Sequence, residues 1–217
     1  METAKTTPLK IFVKTVRKME ALIVAEAMFQ REKAMFGWME EEKMRKILRA
    51  AKREGWSDEK LIETLLRCDR YYYSIRWLGK MLRKAMRFID AVRTENGVRI
   101  AVYGTLRRGG HLHKNIRNAK FIGTTRIPGY RLCVEGYVPF ALPASEDKSI
   151  VVEVYDVSLR VFGRIFISES PNYKPKIVQT EFGPAVMFEG VPKRAFCDKD
   201  IPDGDFIRWI EKARRRR

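Results

Sequence analysis

The chain has 217 residues, 45% of them apolar and 33% charged, which excludes a disordered chain and allows one large domain or two small ones. Its net charge of +17 favours contact with something anionic, and says nothing about fold. No apolar run reaches the roughly 18–20 residues that span a bilayer, since the best candidate, ALIVAEAMF at 21–29, is interrupted by Glu26. With no charged-then-apolar signal layout at the amino terminus, a cytoplasmic protein without membrane contact is expected.

Residues 1–95 read as helices, basic and rich in methionine. Thr7 and Pro8 form an N-cap and first-turn pair, and Ile11, Val13, Val16, Met19, Leu22, Ile23 and Ala27 recur at helical spacing. Gly37 is expected to end that helix. A second helix fits 39–53, with Met44, Ile47 and Leu48 inward and Gly55 as its stop. Ser57 then caps a third run that continues to about Val92, with a break or bend expected at Gly79. The Met and aromatic positions read as core, or as a face over helices 8–92 for a second copy or a larger assembly. Arg76, Lys80, Arg83, Lys84 and Arg87, with Tyr71, Tyr72 and Tyr73 nearby, read as a solvated face or as a contact for nucleic acid.

After Asn96-Gly97 the period becomes that of strands: VRIAVYG, AKFIGTTRI, YRLCVEG, SIVVEVYDV, KIVQTEF and PAVMFEG. A short helix fits Leu159 to Ser168, and FIRWIEKA forms a last helix before the basic Arg214 to Arg217 tail. These strands lie too close together for repeated βαβ crossovers. The fold class is therefore α+β, with a helical region over 1–95 followed by a small mixed β-barrel domain over 97–217. Cys68, Cys133 and Cys197 form no CxxC pair, so reduced thiols are expected rather than zinc ligands or a disulfide. His111 and His113 have no third ligand at sensible spacing, so no metal is expected, and no Ser-His-Asp or Cys-His arrangement stands out.

The run VYGTLRRGGHLHKNIRNAKFIGTTRIPGYRL carries Tyr103-Gly104-Thr105-Leu106, a basic Gly-rich stretch to Gly110, His113, Ala119 to Gly123, and Pro128 to Leu132. These motifs, with GYVPFALP at 136–143, VVEVYDV at 151–157 and Pro-Asp-Gly-Asp-Phe at 202–206, closely resemble the gamma-glutamylcyclotransferase-like family, its avirulence-induced-gene branch included. The resemblance covers about 97–217. It implies a small mixed barrel with a pocket at one end, no cofactor, and a reaction in which a gamma-glutamyl amine or peptide cyclises to 5-oxoproline and free amine.

Such a reaction needs a base for the attacking amine, donors for the developing oxyanion, and a cradle that folds the substrate back on itself. The resemblance places Glu169 as the base and Tyr173 as a pocket wall or hydrogen-bond donor. Tyr103, Gly104, Thr105 and Leu106 would form the cradle, with Gly104 letting the main chain approach the ligand. Phe166 stands where the family has Asp, Ser170 where it has Gly, and Val152 where a Gly commonly occurs, which would narrow the pocket. Three readings stay open on the sequence: an enzyme for a small gamma-glutamyl substrate, a binding module that assembles through its helical half, and a nucleic-acid-binding protein.

Overall fold

The structure, a computed structural model, describes residues 8–195 and 197–215, with side chains from residue 20 onward except at 70. The expected cap Thr7, the side chains of Ile11, Val13, Val16 and Met19, and the tail residues Arg216 and Arg217 lie outside the described residues. The chain divides into two units. One runs to Arg87 and takes in Phe162–Ser168, and the other comprises Phe88–Val161 and Glu169–Arg217.

The first unit is helical: α1 (Pro8–Phe36), α2 (Glu41–Glu54), α3 (Asp58–Leu66), a 3-10 turn at Arg70–Tyr72, and most of α4 (Tyr73–Ala91). Local chemistry sets these ends. Gly37 and Gly55 take left-handed φ of 69° and 58°, and Ser57 accepts the Lys60 N–H at 3.2 Å. The long third run does not break at Gly79, which lies within the continuous helix α4. It breaks at Arg67–Asp69 instead, where the Asp69 carboxylate accepts the Tyr71 N–H at 2.9 Å and turns the chain. Gly79 stays inside α4 as a packing position, because a Cβ there would lie 2.9 Å from Leu65 Cβ on α3. Val24, Met28, Phe29, Leu61, Leu65, Leu78 and Leu82 are buried. The middle of α5 (Leu159–Glu169) belongs with α1: Gly163 lies against the Val24 carbonyl, and Arg31 donates to Ser168 Oγ at 2.7 Å.

The second unit holds nine strands among the described residues: β1 (Arg93–Thr94), β2 (Gly97–Val102), β3 (Lys120–Pro128), β4 (Tyr130–Glu135), β5 (Val138–Pro143), β6 (Ser149–Val157), β7 (Tyr173–Thr180), β8 (Gly183–Gly190) and β9 (Lys199–Ile201). α6 (Phe206–Arg215) follows them. The expected barrel does not close. Six strands form one sheet in the order β3-β6-β2-β8-β7, with β1 on β2, and three form another in the order β5-β4-β9. Only β2 and β8 pair in parallel. Gly129, at φ 74°, takes the chain from β3 out of the first sheet and into β4 of the second. Their facing side chains, among them Ile127, Tyr130, Leu132, Ile150, Val152 and Ile201, form one core. β5 escapes the period-two reading because it carries Pro139 and Pro143. It is an edge strand, where a missing N–H donor costs little.

The cysteine expectation is overturned. Cys133 and Cys197 form a disulfide with Cα atoms 5.5 Å apart across a sequence separation of 64. Sequence spacing hid the pair, and strand pairing makes it: β9 pairs with β4, and the Asp198 N–H donates to the Val134 carbonyl at 2.8 Å. Replacing both cysteines by Ala is expected to lower stability by about 2–4 kcal/mol, chiefly by freeing a long loop in the unfolded chain. Urea unfolding of wild type and variant measures this, and equal midpoints would rule the constraint out. No helix among the described residues is long and apolar enough to cross a membrane.

Candidate functional site

β2 runs into Tyr103, which is 6% exposed and donates its hydroxyl proton to the Phe188 carbonyl at 2.7 Å while accepting the Ala141 N–H. The side chain thus ties the end of β2 to β8 and β5. Burial pushes this hydroxyl well above the ordinary tyrosine range, and Tyr173, Glu169 and Glu189 add to the effect electrostatically.

In the turn that follows, a Cβ at Gly104 would collide with the Pro139 ring, so the packing of β5 already requires glycine there. The Gly104 carbonyl accepts the Arg107 N–H at 3.0 Å, and the Thr105 carbonyl accepts the Leu112 N–H at 3.1 Å. His113 Nδ1 lies 2.9 Å from the Leu106 oxygen, so this histidine fastens the turn. With the carbonyls engaged, the N–H groups of Thr105 and Leu106 find no acceptor among the described residues. Two adjacent unspent donors are what an oxyanion or carboxylate requires.

Arg107 and Arg108 anchor the loop. Arg107 is 6% exposed; one terminal nitrogen donates to Asp205 Oδ1 at 2.8 Å, and its Nε lies 3.6 Å from Glu153 Oε1. Glu153 Oε2 accepts the Arg108 N–H at 3.0 Å and the Tyr155 hydroxyl at 2.6 Å. Asp205 Oδ1 also caps α6 through the N–H groups of Ile207 and Arg208, at 3.1 and 3.2 Å. Burial raises the Asp205 carboxyl, but the Arg107 hydrogen bond and charge, with those two N–H groups, hold it below the usual range.

From the other side, α5 ends at Glu169, which is half-buried, and β7 opens at Tyr173. The Tyr173 hydroxyl donates to the Pro139 carbonyl at 2.9 Å, and its ring stacks on Phe140 at 5.1 Å between centroids. Burial raises the Tyr173 hydroxyl first, and the charge of Glu169 second. Glu169 therefore lies within electrostatic reach of both tyrosines. Pro139 serves both parts of the site, its ring against Gly104 and its carbonyl on Tyr173. Sequence reasoning missed this role, because both partners of Pro139 in GYVPFALP lie on other elements. A second acid, Glu189, is 2% exposed and saturated: it accepts Tyr130 Oη at 2.9 Å and Lys174 Nζ at 2.8 Å. Burial works against its ionisation, but those hydrogen bonds and the Lys176 charge hold its carboxyl below the ordinary range.

Two of the departures from the family pattern, at Phe166 and Val152, have packing reasons, and nothing in the structure explains Ser170. Phe166 is 2% exposed and lies 5.6 Å from Phe162 between ring centroids, within the stretch of α5 that belongs to the helical unit. Val152 is wholly buried in the core between the sheets. A cavity of about 260 Å³ lined by Gly110, His111, Tyr137, Phe206, Ile210, Ala213 and Arg214 includes none of the Tyr103, Tyr173 and Glu169 cluster. No three His, Cys, Asp or Glu side chains among the described residues are grouped to hold a metal ion.

The two-sheet α+β unit with its Tyr-Gly-Thr-Leu turn is that of a cyclotransferase-like domain. Residues 100–206 match the family described as gamma-glutamyl cyclotransferase, AIG2-like, and the chain belongs to that family. A curated protein of Pyrococcus horikoshii, provisionally named a gamma-glutamylcyclotransferase, is 42% identical over 113 residues, which are 52% of this chain and 93% of that one. The crystal structure of an uncharacterized protein from Pyrococcus horikoshii shares 38% identity, covering 54% of this chain and 97% of its own at a TM-score of 0.48. An AIG2-like protein from Mus musculus shares 22% identity, covering 46% and 83%, at a TM-score of 0.39.

Proposed function

We propose that this domain cyclises a gamma-glutamyl amine or peptide to 5-oxoproline and the free amine. The substrate's α-amine attacks its own side-chain carbonyl carbon, and Glu169 takes the proton that the nitrogen must lose. The carbonyl oxygen becomes an oxyanion held by the Thr105 and Leu106 N–H groups. Collapse of the tetrahedral intermediate expels the amine, to which Glu169 returns the proton. Tyr103 and Tyr173, both neutral at physiological pH, hold the cradle and wall through their bonds to Phe188 and Pro139.

The observation that supports this reading is that Pro139 holds Tyr173 and the Gly104 turn together. Next to that turn the Thr105 and Leu106 N–H groups find no acceptor among the described residues, while Glu169 acts electrostatically on Tyr103 and Tyr173. Glu189 is engaged by the Lys174 and Tyr130 donors. The test is 5-oxoproline release from a panel of gamma-glutamyl amines, amino acids and peptides, with free amine measured alongside. Equal amounts of both products from at least one substrate are expected. No release from any of them by the folded protein would end the proposal.

A further inference from the structure

The helical unit carries a row of cations that the fold does not neutralise. Along α4, Tyr73, Arg76, Lys80, Lys84 and Arg87 recur at steps of three and four residues. At about 100° per residue all five lie within an arc of about 80°, with the four cations along about 16 Å of helix. Lys80, Lys84 and Arg87 are exposed and Arg76 is half-buried. Neighbouring acids are engaged elsewhere: Glu63 by Arg83, Asp90 by Arg93, and Asp69 by the Tyr71 N–H. Among the described residues none of the four cations makes an ion pair. At the amino-terminal end of the row, Tyr71 is 84% exposed and Tyr73 is 70% exposed.

We propose that this face binds single-stranded nucleic acid, with the phosphate backbone along Arg76 to Arg87 and bases stacked on Tyr71 and Tyr73. A duplex keeps its bases inside and would leave the two rings unused. A lipid surface would need an apolar face beside the cations, whereas Ile75, Leu78, Leu82 and Ala85 of α4 are buried in the core. The inference rests on the helical unit alone and is independent of the cyclisation.

The full chain is titrated against a fluorescein-labelled oligouridine of about 20 nucleotides, with anisotropy as readout. Four phosphate contacts give a plot of log K against log salt with a slope of about −3. Arg76→Gln, Lys80→Gln, Lys84→Gln and Arg87→Gln together should weaken binding at least tenfold. The same charge removed at Lys114, Arg117, Lys193 and Arg194 should change it less than threefold. Tyr71→Ala with Tyr73→Ala should weaken binding about fivefold or more without altering the salt slope, an arm that stands even if the quadruple variant fails to fold. Absence of binding, equal loss in the two quadruple variants, tighter binding of a duplex, or binding of phosphatidylserine vesicles instead would each overturn the proposal.

Discussion

Glu169→Gln is expected to lower kcat/KM for 5-oxoproline release by about 10²–10⁴-fold, the range that a positioned general base supplies. The amide keeps the size of the side chain and loses the ability to take a proton. Half-burial at the end of α5 makes the substitution tolerable to the fold, so thermal unfolding should be little changed. Glu169→Asp sharpens the test. It retains a carboxylate but withdraws it by one methylene, and a loss intermediate between wild type and Gln is expected from positioning alone. A Gln variant with undiminished turnover would show that another group takes the proton. Glu189→Gln separates the two acids: it removes the charge that Lys174 and Tyr130 meet, and so acts on stability before it acts on the chemical step.

How much of this was legible in the sequence depended on how local each signal was. The stops at Gly37 and Gly55 and the cap at Ser57 are set within a few residues, and all three fall where the sequence places them. Gly79 has the same chemistry as Gly55 but serves Leu65 on another helix, so sequence alone could not separate a packing glycine from a breaking one. The break at Asp69 carried its own cap, legible in principle as an Asp two residues before the N–H that it accepts. The disulfide depends on the register of β9 against β4, which spacing does not encode. At the site, the Tyr-Gly-Thr-Leu motif was plain. The packing reason for glycine at 104 left no local signal, because Pro139 arrives from a different strand. The pairing of Arg107 with Asp205 spans 98 positions and left no pattern to read.

That pairing gives the largest expected stability effect. Arg107→Ala is expected to cost about 3–5 kcal/mol, the range for removing one partner of a buried ionic network. Arg107 is 6% exposed and Glu153 is likewise 6% exposed, so truncation leaves Glu153 without its buried cation and Asp205 without its donor. The effect has a pH signature. Asp205 is held below its ordinary range by Arg107, so its contribution is present above the unfolded carboxyl's pKa and is lost as pH falls through the folded value. The gap between wild type and variant should therefore be full at neutral pH and narrow below about pH 4. Arg107→Lys keeps the charge and loses the planar fork, so it should recover only part of the loss. Arg131→Ala is the matched control: its pair with Asp200 is exposed, and such pairs contribute about 0–1 kcal/mol. A loss for Arg107→Ala no larger than for Arg131→Ala, or one that does not change with pH, would mean that the loop holding the Thr105 and Leu106 donors is anchored by something other than this cation.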